Sequence, residues 1–142
     1  MNALNSHWAA GLIGKPWRSN ACGPDAYSCW GLVRHIFALR HGVSMPDVAI
    51  GSDANLAPLF EAARASGWRL AESPAQADDI VLMRGPTGRH CGYMVLADGR
   101  LRVLHADGHQ TAHGPVGCVV SQSLSDAIGG GYHDHEFWRL AR

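Results

Sequence analysis

The chain has 142 residues, of which 46% are hydrophobic and 17% are charged, and its 12 basic residues balance its 12 acidic ones. This length suits a single domain with its own core, and the composition is typical of a globular rather than a disordered protein. The zero net charge and the lack of a basic run argue against nucleic acid as a partner. No apolar stretch is long enough to span a bilayer, so we expect no membrane insertion.

The four cysteines and the N-terminal residues indicate in which cellular compartment the protein is made. The opening segment lacks a basic region, and its apolar part is short and broken, so we expect no signal peptide and synthesis in the cytoplasm. Cys22, Cys29, Cys91 and Cys118 form no CxxC pair and match no zinc spacing, which predicts free thiols in a reducing compartment. The default interpretation of Cys91 and Cys118 is a small buried hydrophobic residue.

Helical patterns occupy the first part of the chain. Ser6 is expected to cap a short first helix. After Cys29, apolar residues recur at helical spacing, which predicts a helix that ends near His41 with Gly42 as its C-cap. A further helix is predicted over residues 56–66.

Strand patterns follow. The predicted strands are 79–83, 91–96, 101–105, 117–121 and 136–140, preceded by a short extended segment at 68–70. Asp98-Gly99 is a strong hairpin signal between the second and third of the five. A helical turn is expected at 123–128. We therefore expect one α+β domain over residues 1–142, with helices packed on an antiparallel sheet of about five strands.

Cys29 lies where a turn-rich segment meets the predicted helix. Unpaired N–H groups and the helix dipole stabilise an anion at such a position, which favours a thiolate. The same N–H groups can bind the oxyanion of an acyl-transfer intermediate, and Gly31 leaves room for a substrate to approach. We therefore predict that Cys29 is a nucleophile rather than a core cysteine.

Two histidines are placed to assist this cysteine. His90 begins the second predicted strand and His105 ends the third, so the hairpin at Asp98-Gly99 brings them to one edge of the sheet. A thiolate nucleophile needs a general base that a further group orients. The order of these residues predicts a site composed of Cys29, His90 and His105.

Five short sequence motifs of the chain resemble those of the NlpC/P60 family of cell-wall cysteine peptidases. The matching segments are IGKPW at 13–17, GPDAYSCWGLV at 23–33, DIVLM at 79–83, HCGYM at 90–94 and LHA at 104–106. They occur in the family's order over roughly residues 11 to 106. The CWGLV version is most similar to the single-domain members of phage tails and gene-transfer-agent-like particles.

The resemblance implies a papain-like fold with a nucleophile helix on an antiparallel sheet. It implies Cys29 as nucleophile, His90 as base and His105 as the orienting residue, with no cofactor. It also implies cleavage of peptidoglycan stem peptides between D-γ-glutamyl and a diamino acid. Action at the cell wall, with phage tail proteins as partners, follows from the same resemblance.

Three positions depart from the family pattern. Ser28 replaces the Asp before the cysteine, Trp30 the Ser after it, and Trp17 the Tyr that can support the oxyanion. In some members the flanking residues help to recognise the free amino group of the substrate. We expect these three residues and Gly31 to contribute to substrate binding and to change its preference.

Two other readings stay open beside the peptidase. A tail or assembly protein with a retired active site fits the altered flanks, and an amidase or acyltransferase could use the same Cys-His-His site. Metal binding by His105, His109 and His113 is not expected, because the glycine, proline and aspartate residues of 107–115 predict a loop rather than a helix.

Overall fold

A computed structural model describes residues 8–45, 67–71, 74–86 and 88–140. The predicted cap at Ser6 and the predicted helix over 56–66 lie outside these ranges. Residues 8–10 are helical and are followed by a turn, as expected for the first short helix.

Besides the helical residues 8–10, the described fold has two helices and one six-stranded antiparallel sheet. The helices are α1 (Cys29–His41) and α2 (Leu124–Gly129). The strands are β1 (Trp68–Leu70), β2 (Ile80–Gly85), β3 (Gly88–Ala97), β4 (Arg100–Thr111), β5 (Gly114–Gln122) and β6 (His133–Leu140). Their order across the sheet is β1-β6-β2-β3-β4-β5. The α+β class is confirmed, and the short segment β1 adds a sixth strand by pairing with β6.

Helix α1 has the limits that its sequence predicts. Ser28 is its N-cap, and the Ser28 side chain accepts a hydrogen bond from the Gly31 N–H at 3.0 Å. At the other end Gly42 adopts the left-handed conformation with φ of 64° and donates its N–H to the Phe37 carbonyl. One face of α1 packs on the sheet through residues that include Leu32 and Ile36, both fully buried.

The β3–β4 hairpin is also confirmed. Asp98 and Gly99 form the turn with φ of 52° and 76°, and Ala97 pairs with Arg100 across it. Two successive positive φ angles match the twist of the adjoining strands, which is why Asp-Gly is favoured at this turn. The turn fixes the register of β3 against β4 and so decides which side chains meet at the far end of the hairpin.

The loop expected over 107–115 is wrong, because β4 runs to Thr111 and β5 begins at Gly114. Gly108 pairs with Gly117 inside this ladder. A Cβ at Gly108 would lie 2.3 Å from the Val116 carbonyl oxygen and 2.5 Å from atoms of Trp17. The glycine therefore allows another part of the chain to approach the strand, instead of ending the strand.

Each face of the sheet carries a separate cluster of buried side chains. Alternate residues of β3 and β4, such as Tyr93 and Leu104, pack with α1 in the larger cluster. On the opposite face Met94 and Val103 pack with Tyr132 and with Ala127 of α2. In the parts of the chain that the structure describes, we find no helix with the length and hydropathy of a membrane span.

Candidate active site

Cys29 is the first residue of α1 and is buried, with 8% of its surface exposed. Cys29 lies close enough to His90 and Cys91 for both residues to shift its pKa. The Cys91 hydrogen bond lowers the Cys29 pKa well below its usual value. Burial acts in the opposite direction, and the hydrogen bond and charge of His90 add to the lowering. The environment therefore favours the thiolate that a nucleophile needs.

The two histidines form the chain of hydrogen bonds that the sequence predicts, and a glutamine extends it. His90 Nε2 lies 2.7 Å from His105 Nδ1, and His105 Nε2 lies 2.8 Å from Gln122 Oε1. Because an amide oxygen only accepts, His105 donates from Nε2 and accepts on Nδ1 from the His90 Nε2–H. His90 Nδ1 is then the nitrogen left to bond the sulfur of Cys29.

His105 remains neutral in this arrangement. It is fully buried, and burial together with the charge of His90 lowers its pKa to about 4, against the hydrogen bond to Gln122 and the charge of Asp107. A neutral His105 can accept the proton of an imidazolium at His90 in a hydrogen bond. It is therefore suited to orienting the base, which is the role predicted for it.

Gly92 explains why the two strands can bring these rings together. A Cβ at Gly92 would lie 2.7 Å from a methyl carbon of Val103 and 3.1 Å from the Cβ of His105. Only a residue without a side chain leaves β4 this close to β3. The glycine two positions after His90 is thus part of the geometry of the site.

Tyr132 fixes the ring of His90 from the other side. The two rings stack with centroids 4.4 Å apart and an interplanar angle of 30°. The Tyr132 hydroxyl donates to Asp107 at 2.5 Å, and burial followed by this hydrogen bond raises the Tyr132 pKa. Gly85 leaves the space for the ring, because a Cβ there would lie 2.5 Å from it. His90 is held between His105 and Tyr132.

Two of the predicted substrate-binding residues have structural roles instead. Ser28 is buried, and its hydroxyl donates to the Ala21 carbonyl at 3.1 Å while accepting from Gly31. The space left by Gly31 is filled by the same carbonyl, since a Cβ at Gly31 would lie 1.8 Å from the Ala21 oxygen. The chain itself, not a substrate, uses both residues to hold the segment before α1.

Trp30 also departs from its expected place. It is only 2% exposed and belongs to the core under α1, so it does not line a cleft as expected. Trp17 is half-buried, lies over Gly108, and donates its backbone N–H to the Gly117 carbonyl at 3.0 Å. A role for Trp17 in substrate binding stays a prediction.

Metal binding finds no support in the observed positions. His105 is buried, whereas His109 and His113 are exposed along β4 and the turn after it. Among the residues that the structure describes, no group of three or more His, Cys, Asp or Glu side chains could hold a metal ion.

Three residues of the site were not singled out by the sequence. Gln122 could have been found from the register, because it lies two residues beyond Val120, the partner of His105 on β5. Tyr132 follows three glycines outside any periodic segment and gave no signal. Cys91 looked like an ordinary buried thiol, and only its place beside Cys29 distinguishes it.

Comparison of the chain with protein-family models and with curated proteins finds no match. The resemblance noted above therefore stays an expectation drawn from the motifs, and the site must be judged by its geometry.

Proposed function

We propose that this protein is a cysteine peptidase of the NlpC/P60 type that hydrolyses peptidoglycan stem peptides. The observation that carries the proposal is the hydrogen-bonded chain of His90, His105 and Gln122, with 2.7 Å between the histidines and 2.8 Å to the glutamine. Cys29 begins α1 near this chain, and His90 contributes to lowering its pKa. A nucleophile, a base and an orienting group in this order are what acyl transfer through a thioester requires.

The first half of the reaction uses the thiolate and the imidazolium. The Cys29 sulfur attacks the scissile carbonyl carbon, and the negative charge moves to the carbonyl oxygen. We expect the backbone N–H of Cys29, the first of α1, to donate to this oxyanion, because the Gly31 N–H already donates to Ser28. His90 then gives its Nδ1 proton to the leaving nitrogen, the C–N bond breaks, and a thioester on Cys29 remains.

The second half returns the enzyme to its starting state. Neutral His90 takes a proton from a water molecule, which attacks the thioester carbon. The C–S bond breaks, the carboxylic acid leaves, and the thiolate and imidazolium form again. Throughout, His105 accepts from the His90 Nε2–H, which keeps Nδ1 directed at the sulfur. The same hydrogen bond stabilises the imidazolium.

The substrate class and the setting come from the resemblance. We expect cleavage between D-γ-glutamyl and a diamino acid, at the cell wall and in association with phage tail proteins. The capping role of Ser28 removes one of the side chains expected to contact the free amino group of the substrate. This group must then be recognised elsewhere, because Trp17, the predicted substrate contact that remains, takes the place of the residue that supports the oxyanion.

The test is hydrolysis of purified stem peptides, followed by mass spectrometry of the new amino end. The parent protein should cleave, and Cys29→Ala should lower the rate by about 10⁴-fold or more while unfolding at a similar temperature. Cys22→Ala is the matched control, because Cys22 is exposed. Retained hydrolysis in Cys29→Ala would overturn the mechanism.

The two other candidate functions give different results in the same experiment. A retired tail protein would neither hydrolyse the peptides nor form a thioester on Cys29. An amidase or acyltransferase would form the thioester but release it faster to an added amine, such as hydroxylamine, than to water. The thiolate environment of Cys29 favours a working nucleophile over a retired site.

A further inference from the structure

Two arginines lie opposite each other at the end of the sheet that carries His90. Arg84 of β2 pairs with Arg89 of β3, and Arg89 directly precedes His90. On its other side Arg84 pairs with His133 of β6. Two guanidinium groups and an imidazole therefore stand in one row across three neighbouring strands. Like charges opposite each other destabilise a strand pair, so the fold alone does not account for this row.

One carboxylate, that of Asp134, balances part of the row. Its Oδ2 lies 3.7 Å from Arg84 Nε and 3.2 Å from His133 Nδ1, so a single oxygen serves both side chains. The side chain of Asp134 is 65% exposed and that of Arg84 is 55% exposed, and ion pairs open to water in this way are weak. Arg84 therefore keeps guanidinium donors for another anion.

Arg89 has no acidic partner. In the described parts of the chain, no residue forms a hydrogen bond or an ion pair with its half-buried side chain. Glu136 of β6, the next acidic residue beyond Asp134, accepts from the Trp138 indole at 2.8 Å instead. The charge of Arg89 is therefore left uncompensated within these parts of the chain.

Both arginines lie on the face of the sheet that α1 covers. Leu82 and Cys91 oppose each other and belong to the core cluster under α1. Because side chains alternate along a strand, the next pair on this face is Arg84 with Arg89, about 7 Å further along. The arginines thus continue the face on which the nucleophile helix packs.

The helix itself extends away from the arginines. Cys29, its first residue, lies close enough to His90 for His90 to lower its pKa. His41, its last residue, lies with Nε2 at 3.0 Å from the Tyr93 hydroxyl, and Tyr93 is further along β3. From Cys29 the helix therefore runs toward Tyr93, and Arg89 lies beyond its open end. A substrate that approaches Cys29 from this end passes the two guanidinium groups.

The hairpin that carries the arginines is fixed relative to the predicted base. Gly85 and Gly88 form the last pair before its turn. A Cβ at Gly85 would lie 2.5 Å from the Tyr132 ring, and this ring stacks on His90 with centroids 4.4 Å apart. The hairpin and His90 therefore pack against the same ring. Groups that select a substrate must be held in this way relative to the reacting atoms.

We propose that Arg84 and Arg89 form a carboxylate-binding subsite that recognises the free α-carboxylate of the D-γ-glutamyl residue. The inference rests on the proposed function, because it takes Cys29 as the nucleophile and a stem peptide as the substrate. In an extended γ-linked glutamyl residue this carboxylate lies roughly 5 Å from the scissile carbonyl carbon, which is within reach of an arginine next to the base. Guanidinium groups bind carboxylates through paired N–H donors.

The experiment compares three forms of one stem peptide. The first has free carboxylates, the second carries an amide in place of the D-glutamyl α-carboxylate, and the third carries an amide on the carboxylate of the diamino acid. Hydrolysis is measured for the parent, Arg84→Gln, Arg89→Gln and Arg89→Lys, each checked for folding by thermal unfolding. Arg100→Gln is the matched control, because Arg100 is exposed at the opposite end of β3, across the Asp98-Gly99 turn.

We expect the parent to have a kcat/KM about tenfold to a hundredfold lower on the second peptide than on the first, and an equal value on the third. Each Arg→Gln variant should lose a similar factor on the first peptide and almost nothing on the second, so one variant suffices if the other fails to fold. Arg89→Lys should lie between, because lysine keeps the charge but lacks the fork of donors. Arg100→Gln should follow the parent.

Three results would overturn the proposal. The parent could cleave the first two peptides with equal kcat/KM. The Arg→Gln variants could lose the same factor on both peptides, which would indicate a general effect on the site. A loss confined to the third peptide would show that the arginines recognise the carboxylate of the diamino acid instead.

Binding of the same peptides to Cys29→Ala, measured by calorimetry, decides the case in which the parent cleaves none of them. If the first peptide then binds at least tenfold more tightly than the second, and Arg89→Gln removes this difference, the subsite stands and the peptidase assignment fails. Equal binding of the two peptides, or no binding of either, overturns the subsite as well. If the parent cleaves both peptides equally, the peptidase assignment stands and the subsite fails.

Discussion

His90 and His105 face each other through ring nitrogens, with Nε2 of the first 2.7 Å from Nδ1 of the second. Gln122 then sets which nitrogen of His105 carries the proton, because its Oε1 can only accept the Nε2–H at 2.8 Å. A residue on β5 thus decides the direction of every hydrogen bond back to Cys29. The behaviour of the site should depend on Gln122 even though Gln122 is distant from the reacting atoms in this chain of contacts.

Replacing Gln122 with Glu tests this dependence. A carboxylate beside His105 favours the imidazolium, so the His105 pKa should rise and its Nδ1 should gain a proton that faces the His90 Nε2–H. We expect kcat for stem-peptide hydrolysis at pH 6 to fall by about tenfold to a hundredfold and to recover as the pH rises. Gln110→Glu is the control, because Gln110 is exposed on β4. If kcat of Gln122→Glu depends on pH in the same way as kcat of the parent, the tautomer assigned to His105 is contradicted.

The burial of His105 should appear in the acid stability of the protein. Its pKa is about 4 in the folded state against 6.5 when unperturbed, chiefly because burial disfavours the charged form. Between these values the unfolded chain binds more protons, so the free energy of unfolding falls as the pH drops from 6.5 toward 4. The full shift corresponds to about 3 kcal/mol. Urea unfolding at pH 7 and pH 4.5 should show a smaller loss in His105→Gln than in the parent. An equal loss of unfolding free energy in His105→Gln and in the parent would show that His105 is not buried in its neutral form.

Gly31 is expected to be required for folding around the nucleophile. An alanine there would place its Cβ 1.8 Å from the Ala21 carbonyl oxygen, which is backbone and cannot rotate away. We expect Gly31→Ala to lower the free energy of unfolding by about 2 kcal/mol or more, as other overpacked sites do. Gly129→Ala is the matched control, because no atom lies within 4 Å of the added carbon. Urea unfolding of both variants checks the prediction, and equal stability would contradict the observed contact.

Tyr132 should act on catalysis through its ring rather than its hydroxyl. Tyr132→Phe keeps the stack on His90 and loses the hydrogen bond to Asp107, so kcat should stay within about threefold of the parent. Tyr132→Leu removes the ring and should lower kcat by about tenfold, because His90 loses its fixed orientation. Steady-state kinetics of the two variants test this. If Tyr132→Phe lowers kcat as much as Tyr132→Leu does, then the hydroxyl, and not the ring stacking, positions His90.

The sequence predicted those features that depend on local chemistry. The limits of α1 follow from Ser28, Gly42 and the apolar spacing, and the β3–β4 hairpin follows from Asp98-Gly99. Because the hairpin register is fixed by its turn, the meeting of His90 with His105 could be predicted as well. Their roles in catalysis, like that of Cys29, stay predictions.

The sequence could not reveal features that depend on distant parts of the chain. Gly31 was expected to admit a substrate, but the carbonyl of Ala21, ten residues earlier, occupies that space. The glycines of 107–115 looked like loop signals, although Gly108 and Gly117 lie opposite each other within a strand pair. A glycine in the sequence shows that a side chain is absent, but only the folded structure shows which atoms occupy the space beside it.

The outer edge of the sheet is covered at residues 117–119 of β5 by residues 14–17. Gly14 and Trp17 donate to the carbonyls of Val119 and Gly117 at 2.8 and 3.0 Å, and the Val119 N–H donates to the Lys15 carbonyl at 2.8 Å. Exposed strand edges invite pairing with a second molecule and hence aggregation, so this cover protects the free chain. The protecting segment also leads into the loop before Cys29. The backbone of residues 14–17 therefore covers a strand edge that could pair with another chain, and it also fixes the start of the loop that leads to Cys29.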